Sequence, residues 1–137
     1  MSALTRFFFR NDVTCRTPLE VVSWWESRRL AYNAAVGTTG LFTLAAVHLI
    51  AWLPPFSAPI PWQPTVIIPL VYGFMANVCY TGGWVAELWI RNTLGREMEP
   101  VGPTIFRYAF AFSIGLTLLP IALISMAKFA MVLNWIF

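Results

Sequence analysis

The chain has 137 residues, of which 58% are hydrophobic and only 11% charged, and its net charge is +3. This length fits one domain, and the long apolar stretches exclude an ordinary water-soluble fold. The arginines flank these stretches and do not form one basic face, so we expect no nucleic-acid partner. The two cysteines are too few to predict a disulfide framework.

Residues 1–31 are predicted to form a cytoplasmic N-terminal segment with a short interfacial amphipathic helix over residues 18–30. Thr17 and Glu20 flank Pro18 in the arrangement of a capping box, which predicts a helix start. Tryptophans then share one side of the helical wheel, which is typical of a helix lying along lipid headgroups. The residues expected at the headgroups are Trp24, Trp25, Arg28 and Arg29. The alternative is a helix that leads straight into the first membrane span.

Three long apolar stretches predict three transmembrane helices. A hydrocarbon core of about 30 Å requires roughly 20 apolar residues of helix, and each stretch reaches that length. The expected spans cover residues 32–53, 66–90 and 104–128, with a C-terminal extension to the last residue. Residues 32–137 would form the transmembrane domain. The predicted fold class is therefore an all-α membrane protein, with the interfacial helix preceding three spans.

The first span carries small and polar residues together with the single histidine. Asn33 and Gly37 share a helix face that can approach another helix closely. His48 lies among small residues further along, in a segment that resembles the pigment-binding stretch of light-harvesting antenna polypeptides. A neutral imidazole in a membrane helix can bind the metal of a (bacterio)chlorophyll or of haem. The alternative is a histidine bonded to a neighbouring helix or to lipid headgroups.

The second span carries a polar stripe. Its members, which recur every three or four residues and so share one helix face, are Asn77, Tyr80, Trp84 and Glu87. Unpaired amides and carboxylates are costly in hydrocarbon, so we expect this face to contact protein. The alternative is a polar pathway for a proton or small substrate, although the chain has no internal repeat of the kind common in transporters.

The third span is longer than a membrane requires, and Pro120 is expected to kink it as one helix. Arg107 lies in its first turn, on the same predicted side as Glu87, and we expect an ion pair between them.

Charge and tryptophan positions predict the orientation in the membrane. Basic residues collect before the first span and around the 91–104 connection, whereas the 54–64 connection carries no charge. Because positive residues accumulate on the cytoplasmic side, the N-terminus should be cytoplasmic and the C-terminus on the opposite side. Further tryptophans expected at the two membrane interfaces are Trp52, Trp62, Trp89 and Trp135.

Two motifs resemble those of a family of small bacterial polytopic membrane proteins. They are Trp-Trp-Glu-x-Arg-Arg-Leu-x-Tyr-Asn at residues 24–33 and Ala-Asn-x-x-Tyr-x-x-Gly at residues 76–83. The resemblance implies a bacterial inner-membrane location and brings no mechanism. In such a membrane, the orientation predicted from charge would place the C-terminus in the periplasm. The positions that the resemblance marks are Trp25, Arg29, Tyr32, Asn33, Asn77, Tyr80 and Glu87.

Three functional hypotheses follow. The sequence has no metal cluster, nucleophile elbow, phosphate loop or carboxylate pair, so we expect no enzyme. The first hypothesis is an accessory subunit that packs against a larger membrane complex, of photosynthetic reaction-centre or respiratory type, or against itself. The second is a pigment- or haem-binding module using His48, and the third is a small transporter or channel along the Asn77–Glu87 face. Bound lipids are expected in each case.

Overall fold

The structure, a computed structural model, describes residues 17–54, 57–95 and 101–137. The helices of these residues, which we number in chain order, are α1 (Pro18–Trp52), α2 (Trp62–Leu94) and α3 (Gly102–Ile136). All three are long and apolar enough to cross a membrane. The prediction of an all-helical fold with three helices long and apolar enough to span a membrane is therefore confirmed. Residues 1–16, which make up half of the predicted cytoplasmic segment, lie outside the described residues.

Helix α1 begins with the predicted capping box. The Thr17 N–H donates to Glu20 Oε2 at 2.7 Å, and the Glu20 N–H donates to Thr17 Oγ1 at 3.3 Å. From Pro18 the helix continues without a break to Trp52. The structure therefore does not support a separate interfacial helix over residues 18–30. Over so short a stretch, the apolar pattern of a surface helix cannot be distinguished from that of the first turns of a longer helix.

The helix ends have identifiable stop signals. Gly95 follows the end of α2 with a φ of 103°, a left-handed conformation that glycine adopts without strain. At the end of α1, Lys128 Nζ donates to the carbonyls of Ala51 and Leu53 at 3.3 and 3.1 Å. A cation at this position satisfies carbonyls that have no partner within the helix. Helix α3 runs through Pro120 as one helix and includes the predicted C-terminal extension.

The chain divides into two compact units, and each takes a part of all three helices. Unit 1 comprises Met1–Ala34 and Met75–Phe112, and unit 2 comprises Ala35–Phe74 and Ser113–Phe137. The core of unit 1 is mainly aromatic; its buried residues include Trp24, Trp25, Tyr32, Tyr80 and Phe106. The buried residues of unit 2 are smaller: Val36, Thr43, Ala51 and Thr117. Large apolar side chains point outward along all three helices, as expected for helices in contact with lipid.

Candidate functional site

The polar stripe of α2 meets α1 within unit 1. Asn33 Nδ2 donates to Asn77 Oδ1 at 3.2 Å. The Tyr80 hydroxyl donates to the backbone carbonyl of Trp25. The indole Nε1 of Trp25 donates to Glu87 Oε2 at 2.7 Å. Three members of the stripe therefore have hydrogen-bond partners on another helix of the same chain.

Glu87 is the charged residue of the stripe, and its side chain is fully buried, with an exposure of 0%. Its carboxyl lies against Gly102, the first residue of α3, where an added Cβ would stand only 2.2 Å from Oε2. A side chain at this position would require the Glu87 carboxyl to shift. Glycine thus lets Glu87 approach the N-terminus of α3, where the helix dipole favours negative charge.

The predicted ion pair between Glu87 and Arg107 is not formed. Arg107 is exposed, and the carboxyl accepts its hydrogen bond from Trp25. Among the described residues, Glu87 Oε1 has no partner. Helical spacing alone was insufficient to predict an ion pair. Packing between the helices decides which residue becomes the partner of a buried group.

Arg91 is a buried residue that the sequence pattern did not mark. Its side chain is 6% exposed, and neither Nη1 nor Nη2 has a partner within the described part of the chain. Trp84 Nε1 is also buried without a hydrogen-bond partner among the described residues. Arg91 follows Glu87 by four residues, so the stripe could have been extended by one helical turn. Buried polar atoms without partners are costly, and among the described residues of unit 1 most such atoms lie at this end of the stripe.

The two tryptophans expected at the headgroups lie in the core of unit 1. Trp25 is 1% exposed and meets Tyr80 and Phe106 edge to face, with ring centroids 5.4 and 5.7 Å apart. Its ring also covers Gly83, where an added Cβ would stand 2.7 Å from the indole. Trp24 packs against Trp25 and Phe106. The Trp25 indole therefore contributes both a hydrogen bond and a large packing surface.

The two arginines of the predicted headgroup set also contact protein. Arg28 lies 4.0 Å above the Trp24 ring and donates to the Trp24 carbonyl at 2.8 Å. Arg29 forms a two-bond ion pair with Glu26 and donates to Thr81 Oγ1 at 3.1 Å. Both side chains are anchored within unit 1.

The remaining predicted residues lie on the outside. The tryptophans expected at membrane interfaces are each at least 69% exposed: Trp52, Trp62, Trp89 and Trp135. Their interfacial placement stays a prediction. Gly37 is exposed too, and a Cβ added there would meet no described atom within 4 Å.

His48 lies in unit 2 with both ring nitrogens engaged. Nδ1 is 2.9 Å from the carbonyl of Leu44, and Nε2 is 3.2 Å from Thr65 Oγ1. The first bond is the kind that orients a ligating imidazole. Nε2 faces Thr65, whose hydroxyl also donates to the Pro61 carbonyl at 2.9 Å. A pigment- or haem-binding role for His48 stays a prediction.

A pocket of about 270 Å³ adjoins His48 in unit 2. Residues from all three helices line it, among them Gly40, Thr65, Tyr72 and Pro120. Its wall is almost entirely apolar. No local sequence signal predicts this pocket, because it depends on how three separate segments pack together.

Comparisons with protein-family models, with curated proteins and with solved structures gave no match for this chain. Within the described residues, no group of three or more His, Cys, Asp or Glu side chains is placed to hold a metal ion.

Proposed function

We propose that this chain is a non-enzymatic accessory subunit that packs against a larger complex in a bacterial inner membrane. Its N-terminus would be cytoplasmic and its C-terminus periplasmic, because basic residues collect before the first span and around the second connection. A photosynthetic reaction centre or a respiratory complex is the host class to examine first. Exposed tryptophans near the helix ends would hold it at the proper depth.

The observation that carries the proposal is a set of glycines with open space beside them. At each of these exposed positions, a Cβ would meet no atom of the described chain within 4 Å: Gly37, Gly82 and Gly115. Glycine inside a helix costs roughly 1 kcal/mol relative to alanine, and within the described residues no close packing at these three positions offsets that cost. In lipid, small residues allow a neighbouring helix to approach closely, so these positions favour contact with another protein.

The polar stripe of α2 gives less support to a partner than its sequence pattern suggests. Asn77, Tyr80 and Glu87 already have partners on α1. The same contacts argue against a transport pathway, since the Trp25 ring packs onto this face. The pigment-binding hypothesis gains no support from His48, whose Nε2 faces Thr65.

The test is purification of the full chain from its native membrane in mild detergent, with the Gly82→Leu and Gly82→Ala variants beside it. The proposal predicts that the native chain and Gly82→Ala co-purify with the same integral membrane proteins. Gly82→Leu should lose them while keeping its own helicity, because its bulk falls outside the packing of unit 1.

A native chain that purifies alone, or a Gly82→Leu variant that retains every partner, would contradict this proposal. Recovery of a second tagged copy alone would indicate self-association in place of a host complex.

A further inference from the structure

The pocket of unit 2 has the dimensions of a groove along the helices. On α1 its lining extends from Gly40 to His48, eight residue steps, which correspond to about 12 Å of helix axis. Pro69 on α2 and Pro120 on α3 lie on the other walls. The pocket is partly open at the surface of the unit. One leaflet of the hydrocarbon core is about 15 Å deep, so the groove matches most of a leaflet in length.

The polar side chains at the wall have hydrogen-bond partners within unit 2. Thr43 Oγ1 donates to the Thr117 carbonyl at 2.9 Å, and the Tyr72 hydroxyl donates to the Ser113 carbonyl at the same distance. His48 is bonded to Leu44 and Thr65. A molecule in the pocket would therefore find few groups to bond with, which favours an occupant made of hydrocarbon.

Apolar wall atoms gain dispersion contacts when an apolar molecule lies against them, so this lining favours an apolar occupant. A cavity of about 150 Å³ is large enough to bind benzene, and this pocket is larger at about 270 Å³. Around transmembrane helices, the abundant apolar material of the right length is lipid acyl chain.

We propose that the groove of unit 2 binds one acyl chain of a membrane phospholipid, laid along α1 between the prolines of α2 and α3. The site is independent of any host complex, so it does not depend on the function proposed above. Its specificity would come from length and shape, because the wall presents almost no polar surface.

The experiment uses the full chain in lipid nanodiscs that contain a phospholipid with a photoactivatable diazirine on its acyl chain. After illumination, labelled peptides are mapped by mass spectrometry. The variant Val47→Trp places an indole in the pocket, and Val71→Trp is the matched control, since Val71 is 54% exposed and is not part of the lining. We expect preferential labelling of pocket residues in the native chain and in Val71→Trp, and loss of that preference in Val47→Trp.

Circular dichroism checks that each variant folds, and Gly40→Leu fills the same pocket if Val47→Trp does not fold. Competition by excess unlabelled phospholipid in the native chain should also suppress the pocket signal. Equal labelling of pocket and outward-facing residues would overturn the proposal, as would equal labelling in the two tryptophan variants. The proposal would also be overturned by a ring compound that co-purifies with the native chain, blocks labelling by the diazirine phospholipid and is absent from Val47→Trp. The occupant would then not be an acyl chain.

Discussion

The two units of this protein hold helices together by different means. In unit 1, aromatic rings fill the core and one indole bridges two helices, through its bond to Glu87 and its contact with Phe106. In unit 2, the helices are joined by hydroxyl groups that donate to backbone carbonyls, as Thr43 does to Thr117. The first arrangement packs tightly around large side chains, and the second leaves a pocket.

The difference shows what can replace the hydrophobic effect inside a membrane. Lipid tails are as apolar as a leucine side chain, so burying apolar surface gives helices little reason to associate. The interactions that remain to hold helices together are close packing and hydrogen bonds between helices. Unit 1 obtains both from a few large residues, whereas unit 2 relies on small ones. We therefore expect single substitutions of these large residues to lower the free energy of unfolding strongly in unit 1, and substitutions in unit 2 to lower it less.

The largest effect is expected for Trp25→Ala. Replacing a buried large aromatic residue by alanine costs about 3–5 kcal/mol in known proteins, and here the Glu87 hydrogen bond is lost as well. The free energy of unfolding in mixed detergent and SDS micelles is the measurement. Trp89→Ala is the control, because Trp89 is 69% exposed and its loss should change stability little. Similar losses for both variants would mean that the aromatic core does not hold unit 1.

A second comparison uses two adjacent glycines. Gly83→Ala would place a Cβ 2.7 Å from the Trp25 ring, and forcing extra volume into a packed core costs typically about 1–3 kcal/mol. Gly82→Ala adds the same methyl group where a Cβ would meet no described atom within 4 Å, so it should leave stability unchanged or slightly raised. The same unfolding assay applies. A destabilised Gly82→Ala variant would show that the space beside Gly82 is filled within the folded chain.

A third prediction concerns unit 2. Thr43→Val removes the donor to the Thr117 carbonyl while keeping the shape of the side chain. Hydrogen bonds between membrane helices contribute at most about 1.7 kcal/mol, so the loss of stability should stay below that value. Thr39→Val is the control, since Thr39 donates to Ala35 on its own helix. If the Thr43 variant lost more than Trp25→Ala, the contrast between the units would be reversed.

The smallest effect is expected for the Asn33–Asn77 pair. A double-mutant cycle with Asn33→Leu and Asn77→Leu should give a coupling of about 0.6 kcal/mol, the average for such bonds in membranes. A coupling of several kcal/mol would place the main support of unit 1 at this pair and not at Trp25.

The fold was predictable because it is encoded locally. Spans are visible as runs of apolar residues, and the capping box at Thr17 and Glu20 marked the start of α1. The shared face of Asn77, Tyr80 and Glu87 followed from helical spacing alone.

What the sequence did not reveal depends on contacts between helices. Trp25 has the local pattern of a headgroup residue, yet it is the partner of Glu87, and Arg107 is not. Periodicity places a side chain on a face, but it does not say which residue of another helix lies opposite. The pocket beside His48 was equally hidden, because its walls come from three segments far apart in sequence.

The most direct test of the account is a double-mutant cycle on Trp25 and Glu87. Trp25→Phe removes the indole donor and keeps an aromatic ring, and Glu87→Leu removes the acceptor. The account predicts that the two substitutions are coupled by about 1–1.7 kcal/mol in the free energy of unfolding, because each removes the same buried hydrogen bond between two helices. Strictly additive effects would contradict it, since the polar face of α2 would then owe its stability to something other than α1.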